Sequence, residues 1–271
     1  MAVILATNDD GINALGLRVL VKELARKGHK VYVAAPECQR SGASKSVFFK
    51  AAFKNTELEG AVQAWTVKAP PASIVYIAVK KLLPEKPDLI VSGLNHGPNM
   101  GFEDFFTSGT IGAAIEANLM GIPAIAGSIA ERTITSEEKA RIPAIITSEA
   151  ASAMLDLLSS EWREALPLLI INSPLEPKGV LVTRMAWNTY RVELEYLGED
   201  VLAPRMSFDS IYDVNAPEGT DIWAVLNGYA SITLVDLRKL YRTLSNIEEE
   251  NVSFLERIAE RMKEAFMRER A

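Results

Sequence analysis

The sequence has one cysteine, Cys38, and only two histidines, His29 and His96, in 271 residues. A lone thiol forms no internal disulfide framework and fits a reducing compartment, which predicts a cytoplasmic protein. Nothing near His29 stands at metal-ligand spacing, and with only two histidines and no Gly-x-Ser-x-Gly elbow a serine triad fails. No apolar run reaches the roughly 18 residues of a membrane helix, and the chain enters a strand with no basic leader, so no membrane partner is expected. Long basic runs are missing too. Twenty-nine Lys and Arg stand against 35 Asp and Glu, a net charge of −6, which disfavours nucleic-acid polymers and leaves a small phosphorylated substrate open. There is no internal repeat or low-complexity tract.

With 48% hydrophobic residues the chain can bury a large core. Ile4 to Thr7 is a brief apolar run ended by turn residues, hence a buried strand; Leu15, Val19, Leu20 and Leu24 then step at helical spacing. Gly28 stops that helix and His29 to Pro36 reads as a second strand, the order of a right-handed parallel crossover. Asp9 and Asp10 therefore fall at the carboxyl end of a strand, the edge of an open α/β sheet where ligands bind. Two adjacent carboxylates losing hydration need a compensating cation, and a hard divalent metal is one candidate. The other reading is local: an aspartate caps the next helix while Asn8 and Gly11 shape the turn.

Parallel strands present their carboxyl ends together, so residues 37 to 46 share this edge. Ser41, Ser44 and Ser46 with Arg40 and Lys45 form either a wall for a phosphate or a solvated loop. Val47 to Lys54 and Ala61 to Val67 suit a hairpin, and Pro71 to Leu83 a helix with proline in its first turn. The strand from Asp88 to Ser92 exits into Ser-Gly-Leu-Asn-His-Gly-Pro-Asn-Met-Gly, residues 92 to 101, where glycines permit close approach and Asn95 and Asn99 bring amides for metal or phosphate. His96 there is either a proton donor or a turn residue. Thr107 to Thr110 opens the helix Ile111 to Leu119, whose N-terminus suits an anion or is an ordinary cap. A strand over Ile122 to Ser128, helix within Ser136 to Leu158 broken near Pro143, and a strand over Leu166 to Asn172 follow. Beyond about residue 178, Val180 to Arg184, Arg191 to Leu197 and Asp221 to Leu234 read as a small β-rich extension. Val252, Leu255, Ala259, Met262 and Phe266 mark a final amphipathic helix.

Thr-Asn-Asp-Asp-Gly at 7 to 11, Ala-Pro then Arg-Ser-Gly at 35 to 42, Val-Ser-Gly-Leu-Asn-His-Gly-Pro-Asn-Met-Gly at 91 to 101 and Ser-Gly-Thr at 108 to 110 together resemble the stationary-phase survival protein E family of nucleotidases. Ile171 to Pro174, Thr183-Arg184, Gly219 to Asp221 and Gly228 to Thr233 extend the likeness. The resemblance implies an α/β, three-layer Rossmann-like, mostly parallel sheet over residues 1–178, with a β-rich extension and terminal helix over 179–271 used in a homodimer or homotetramer. It implies metal-dependent hydrolysis of nucleoside 5′- or 3′-monophosphates, with one divalent ion per subunit on Asp9, Asp10, Ser41 and Asn95. An all-oxygen set independently favours Mg²⁺ or Mn²⁺ over zinc. Asn99, Ser108, Gly109 and Thr110 match phosphate-holding positions, and Asp9, Asp10 and Asn99 are the expected catalytic residues. The sequence departs from the family pattern at Ala69-Pro70-Pro71-Ala72-Ser73, where Gly-Thr-Pro-Ala-Asp is usual, and at Lys45, where a histidine is common. A nucleotide-binding regulatory protein without turnover is the alternative. A haloacid-dehalogenase-type phosphatase fits poorly, because its two aspartates stand one residue apart and here position 8 is Asn and position 11 Gly.

Overall fold

The computed structural model describes residues 1–131, 134–160, 165–188, 192–198, 200–205, 211–245, 258, 259 and 262. Its first compact unit, Met1–Val235, is built on a nine-stranded sheet. In chain order the elements are β1 (Val3–Thr7), α1 (Leu15–Arg26), β2 (Lys30–Pro36), β3 (Phe53–Thr56), β4 (Gln63–Val67) and α2 (Pro71–Ile77), which continues as a π-helical turn through Leu82. Then come β5 (Leu89–His96), α3 (Gly101–Thr107), α4 (Gly109–Leu119), β6 (Ala124–Ile129), α5 (Glu137–Ser160), β7 (Leu168–Ser173) and β8 (Val180–Thr183). The unit ends with β9 (Glu193–Tyr196), β10 (Leu202–Arg205), α6 (Asp221–Leu226) and β11 (Ala230–Val235). The second unit, Asp236–Ala271, contains α7 (Leu237–Ser245) among its described residues. The amphipathic segment expected over 252–266 lies largely outside the described residues.

The sheet order is β3-β4-β2-β1-β5-β6-β7-β11-β8, with every pair from β4 to β7 parallel. β1 is buried along its whole length, as a central parallel strand covered on both faces must be. Ile4 and Ala6 join Leu17, Leu20 and Leu24 of α1 and Ala144 and Ala151 of α5 in one core, and alternation turns Leu5 to the other face. On that side α2 and α4 pack together. Each fully buried leucine or isoleucine among them contributes about 1.5–3 kcal/mol. Strand order reverses at β1, with β2 on one side and β5 on the other. That switch point opens a crevice beyond the carboxyl ends of β1 and β5, where the Asp9 and Asn95 loops emerge.

The details differ from expectation in four places. The hairpin forms, but its first strand starts at Phe53 rather than Val47. α5 runs unbroken through Pro143: the carbonyl that the proline leaves unpaired, that of Lys139, belongs to an exposed residue open to water. α5 is long enough to cross a bilayer, yet it buries Ala140, Ala144, Ala151 and Met154 in the core it shares with α1. Asp221–Leu226 is helical, because the Thr220 side chain accepts the Trp223 N–H as an N-cap. Of the stretch read as an extension, β11 pairs antiparallel with β7 and carries β8 on its outer edge, so the main sheet includes both.

Candidate active site at the carboxyl edge of the sheet

The turn after β1 is closed by one side chain. Asn8 donates to the Gly11 carbonyl at 2.9 Å and accepts from the Gly11 N–H at 3.2 Å, while Gly11 takes φ +107°. α1 starts further on, with Ala14 at its N-cap and no side-chain cap, so neither aspartate caps the helix. Asp9 is buried, and its carboxyl is raised from the ordinary 3.8 to about 6, first by burial and further by the Asp10 charge, against hydrogen bonds from Thr110. Asp10 is also raised by burial, opposed by the His96 backbone N–H, which donates to its Oδ2 at 2.9 Å. Among the described residues no Lys or Arg forms an ion pair with either aspartate.

β5 delivers the second group of donors. Its register against β6 slips between Ser92 and Asn95, where Gly93 takes φ +139° and lies against the Gly127 carbonyl. Such an irregularity re-aims the residues after it. Asn95 then commits its amide nitrogen to the Gly97 carbonyl at 2.7 Å, which leaves Oδ1 as its outward donor. The Thr110 hydroxyl donates to Asp9 Oδ1 and lies 3.4 Å from Asn95 Oδ1, so these two oxygens converge on one point. The positive end of α4 thus faces Asp9. Ser108, expected among the phosphate holders, uses its hydroxyl to cap α4 at the Ile111 N–H. His96 buries Nε2 without a hydrogen-bond partner.

The β2 loop supplies a matching pair. Gln39 Nε2 donates to Ser41 Oγ at 2.8 Å and reaches Asp10 Oδ1 at 3.5 Å, joining Ser41 to Asp10 as Thr110 joins Asn95 to Asp9. Gln39 carries no motif and was not foreseen. Most of the loop's polar groups are consumed in building it: Ser44 donates to the Phe106 carbonyl, Ser46 to that of Ala43, and Lys45 pairs with buried Glu116 at 2.6 Å. Ser73, in the stretch that departs from the family pattern, is fully buried and accepts from the Phe48 N–H at 2.7 Å. Arg40 is different. Its backbone N–H donates to the Asp9 carbonyl at 2.7 Å, while its exposed guanidinium joins no ion pair among the described residues.

Asn99 is held from the end of β7. Its N–H donates to Asn172 Oδ1 at 2.7 Å, its carbonyl accepts from Asn172 Nδ2 at 2.9 Å, and its own amide donates to Ser128 Oγ at 3.0 Å. Asn172 lies in the Ile171 to Pro174 stretch that extends the family likeness, though no role was attached to it, and Ser128 gave no sequence signal beyond lying at a strand end on the same edge. Two buried carboxylates fix the residues that follow: Asp104 accepts from the Met100 N–H and the Tyr212 hydroxyl, and Asp221 from the N–H groups of Gly101 and Ala186. A separate cleft of about 640 Å³ is lined by Glu131, Glu138 and Glu176 among others. Lys139 stands among those carboxylates, and none of the candidate site residues lines this cleft.

A family model described as survival protein SurE matches residues 4–192. The chain belongs to the SurE family. A protein from Prochlorococcus marinus named 5′-nucleotidase SurE is 43% identical over 175 residues, which are 63% of this chain and 62% of that protein. One of the same name from Synechococcus elongatus is 36% identical over 69% of this chain and 72% of its own length. A third, from Desulfitobacterium hafniense, is 33% identical over 92% of this chain and 98% of its own length. The crystal structure of SurE protein from Aquifex aeolicus superposes with a TM-score of 0.65 and 29% identity, covering 92% of this chain and 96% of that one. SurE family likeness therefore extends through the parallel sheet to the strands that complete it.

Proposed function

We propose that this SurE-family chain is a phosphomonoesterase that hydrolyses nucleoside 5′- or 3′-monophosphates to nucleoside and phosphate with a divalent cation. The observation that carries the reading is that Thr110 joins Asp9 to Asn95 and Gln39 joins Asp10 to Ser41 at the switch point, with no Lys or Arg paired to either carboxylate among the described residues. The donor set fits a divalent ion: two carboxylates, one amide oxygen and one hydroxyl are hard ligands, suited to Mg²⁺ or Mn²⁺. One ion per subunit suits the single cluster. When bound, it supplies charge neutralisation for phosphoryl oxygens and activation of a water for attack.

The chain's own residues supply the rest. Asp9 is held by Thr110 and by α4, so its orientation is set before substrate arrives. Asp10 Oδ1, reached among the described residues by Gln39 at 3.5 Å, takes the role of accepting a proton from the attacking water in this reading. The Asn99 amide nitrogen carries two hydrogens; Ser128 takes one and the other serves a phosphoryl oxygen. Arg40, whose guanidinium joins no ion pair among the described residues, brings a cation for the phosphate, and Gly109 lets α4 approach. Cys38, free and exposed, suits a reducing compartment, so the reading places the enzyme in the cytoplasm. A homo-oligomer, dimer or tetramer, is the assembly proposed.

The test is phosphate release from a panel of nucleoside monophosphates with EDTA, Mg²⁺ or Mn²⁺, wild type beside Asp9→Asn. Metal-dependent release that disappears in the variant is expected. Nucleotide binding with no release under any metal would instead assign a non-catalytic nucleotide-binding protein.

A further inference from the structure

Three aromatic side chains stand exposed beside the site. Phe102 and Phe106 of α3 are 37% and 52% exposed, and Trp187 is 76% exposed. Phe102 and Trp187 stack with centroids 4.9 Å apart at 23°, and Phe106 meets the edge of Phe102 at 5.0 Å. Exposed aromatic surface of this kind marks a binding site more often than a solvated face. Its position in the chain is specific: α3 links Asn99, two residues before it, to Ser108, directly after it. Seven helical residues span about 10 Å, of the order of the length of a nucleoside monophosphate.

The stack is also held rigidly. The Phe102 N–H donates to the Ala186 carbonyl at 2.9 Å, binding the two aromatic segments directly. Behind them, fully enclosed Asp221 accepts from the Gly101 N–H at 2.8 Å with one oxygen and from the Ala186 N–H at 2.9 Å with the other. One buried carboxylate therefore ties together the residues that precede Phe102 and Trp187. Gly101 is required there: it takes φ +74°, and a Cβ would come 2.8 Å from Asn188 Cβ.

We propose that the free face of the Phe102–Trp187 stack is the nucleobase platform of this enzyme, receiving the base while the phosphate lies between Asn99 and Arg40. The proposal rests on the phosphomonoesterase reading above. Flat aromatic pairs bind any base through its π-face, so the platform selects nucleotides over other phosphate esters without selecting strongly among bases. Asp221 acts through the backbone of both segments and is a positioning residue.

The test compares kcat/KM for adenosine 5′-monophosphate and for ribose 5-phosphate, which lacks the base, in wild type, Trp187→Ala, Phe102→Ala and the conservative Trp187→Phe. Wild type should prefer the nucleotide, and each alanine variant should cut that preference about tenfold, mainly through KM, the loss of one base–aromatic stack. Trp187→Phe should restore most of it. A wild type that cleaves both esters equally, or alanine variants with an unchanged ratio, overturns the platform and leaves the phosphomonoesterase reading intact. Release from neither ester overturns both. Should Trp187→Ala change the mass in light scattering with the ratio unchanged, the patch is a contact between copies and the platform is wrong.

Discussion

Gly109 lies against Asp9: a Cβ at position 109 would stand 2.9 Å from the Asp9 Oδ2 and 3.0 Å from its Cβ. The start of α4 can therefore hold Asp9 only if residue 109 has no side chain. Gly109→Ala must displace the carboxylate or push the helix away, an overpacking that costs about 1–3 kcal/mol. A shift of about 1 Å in a reacting group costs on the order of 100-fold in rate. The expected result is a kcat/KM lower by about that factor with an unchanged circular dichroism spectrum. Wild-type kinetics in this variant would mean that the helix start does not set Asp9.

Asp9 makes the cation-free protein less stable as pH rises. Its carboxyl moves from 3.8 to about 6 on folding, so the folded state binds the proton more tightly than the unfolded one. Stability contributed by the neutral acid is present below about pH 4 and is lost as pH rises to about 6, a total of about 3 kcal/mol. Asp10 is shifted in the same direction and adds to the slope. In urea titrations with EDTA, Asp9→Asn should therefore be more stable than wild type at pH 7 and show a flatter pH dependence, while Mg²⁺ or Mn²⁺ stabilises wild type alone. The same variant should lose on the order of 100- to 1,000-fold in phosphate release. Equal pH profiles for the two proteins would refute the burial argument.

Arg40 separates binding from chemistry. Its backbone is tied to the Asp9 carbonyl and its guanidinium is exposed, so Arg40→Ala removes a charge without opening a cavity. A charge-assisted contact to phosphate is worth about 1.5–3 kcal/mol, which predicts KM raised at least roughly tenfold. The effect should weaken as salt is added. A KM that is unaltered at low salt would leave the phosphate to other groups.

The parts of this site that could be read in the sequence are those carried by local pattern. A strand ending in Asn-Asp-Asp-Gly and another ending in a glycine-rich turn both announce the sheet edge, and the parallel order of β1, β2 and β5 brings them together. The contacts those residues make announce nothing. Thr110 reaches Asp9 across 101 positions and Asn172 reaches Asn99 across 73, and no periodicity or spacing encodes such a contact. Gln39 resembles any loop amide until its two bonds are seen. Where expectation differed from the fold, a local rule met a wider context: Pro143 is tolerated because the carbonyl it strands belongs to exposed Lys139, and Val225 sits in a helix because Thr220 caps it. Asp221 illustrates both sides. Its motif position was noted, yet its clamp on Gly101 and Ala186 depends on two loops meeting in space.

The β9–β10 hairpin argues for assembly. It is a separate two-stranded sheet, paired from Leu202 opposite Tyr196 to Arg205 opposite Glu193, and such a ribbon is marginal when isolated in water. Leu194, Tyr196, Leu197, Val201 and Leu202 are all exposed on it, a concentration of apolar surface that solvent disfavours. Covering it with a second copy of the chain removes both costs at once, and the symmetry of a two-fold pair lets each hairpin cover the other subunit. Leu194→Lys combined with Leu202→Lys should therefore shift the mass in light scattering toward that of a single chain. Because the hairpin lies outside the nine-stranded sheet, the unfolding midpoint of the variant measured in the same buffer should drop only through the loss of assembly, becoming independent of protein concentration. A wild type that already has the mass of a single chain, or an unchanged mass with both lysines in place, would refute assembly through this hairpin.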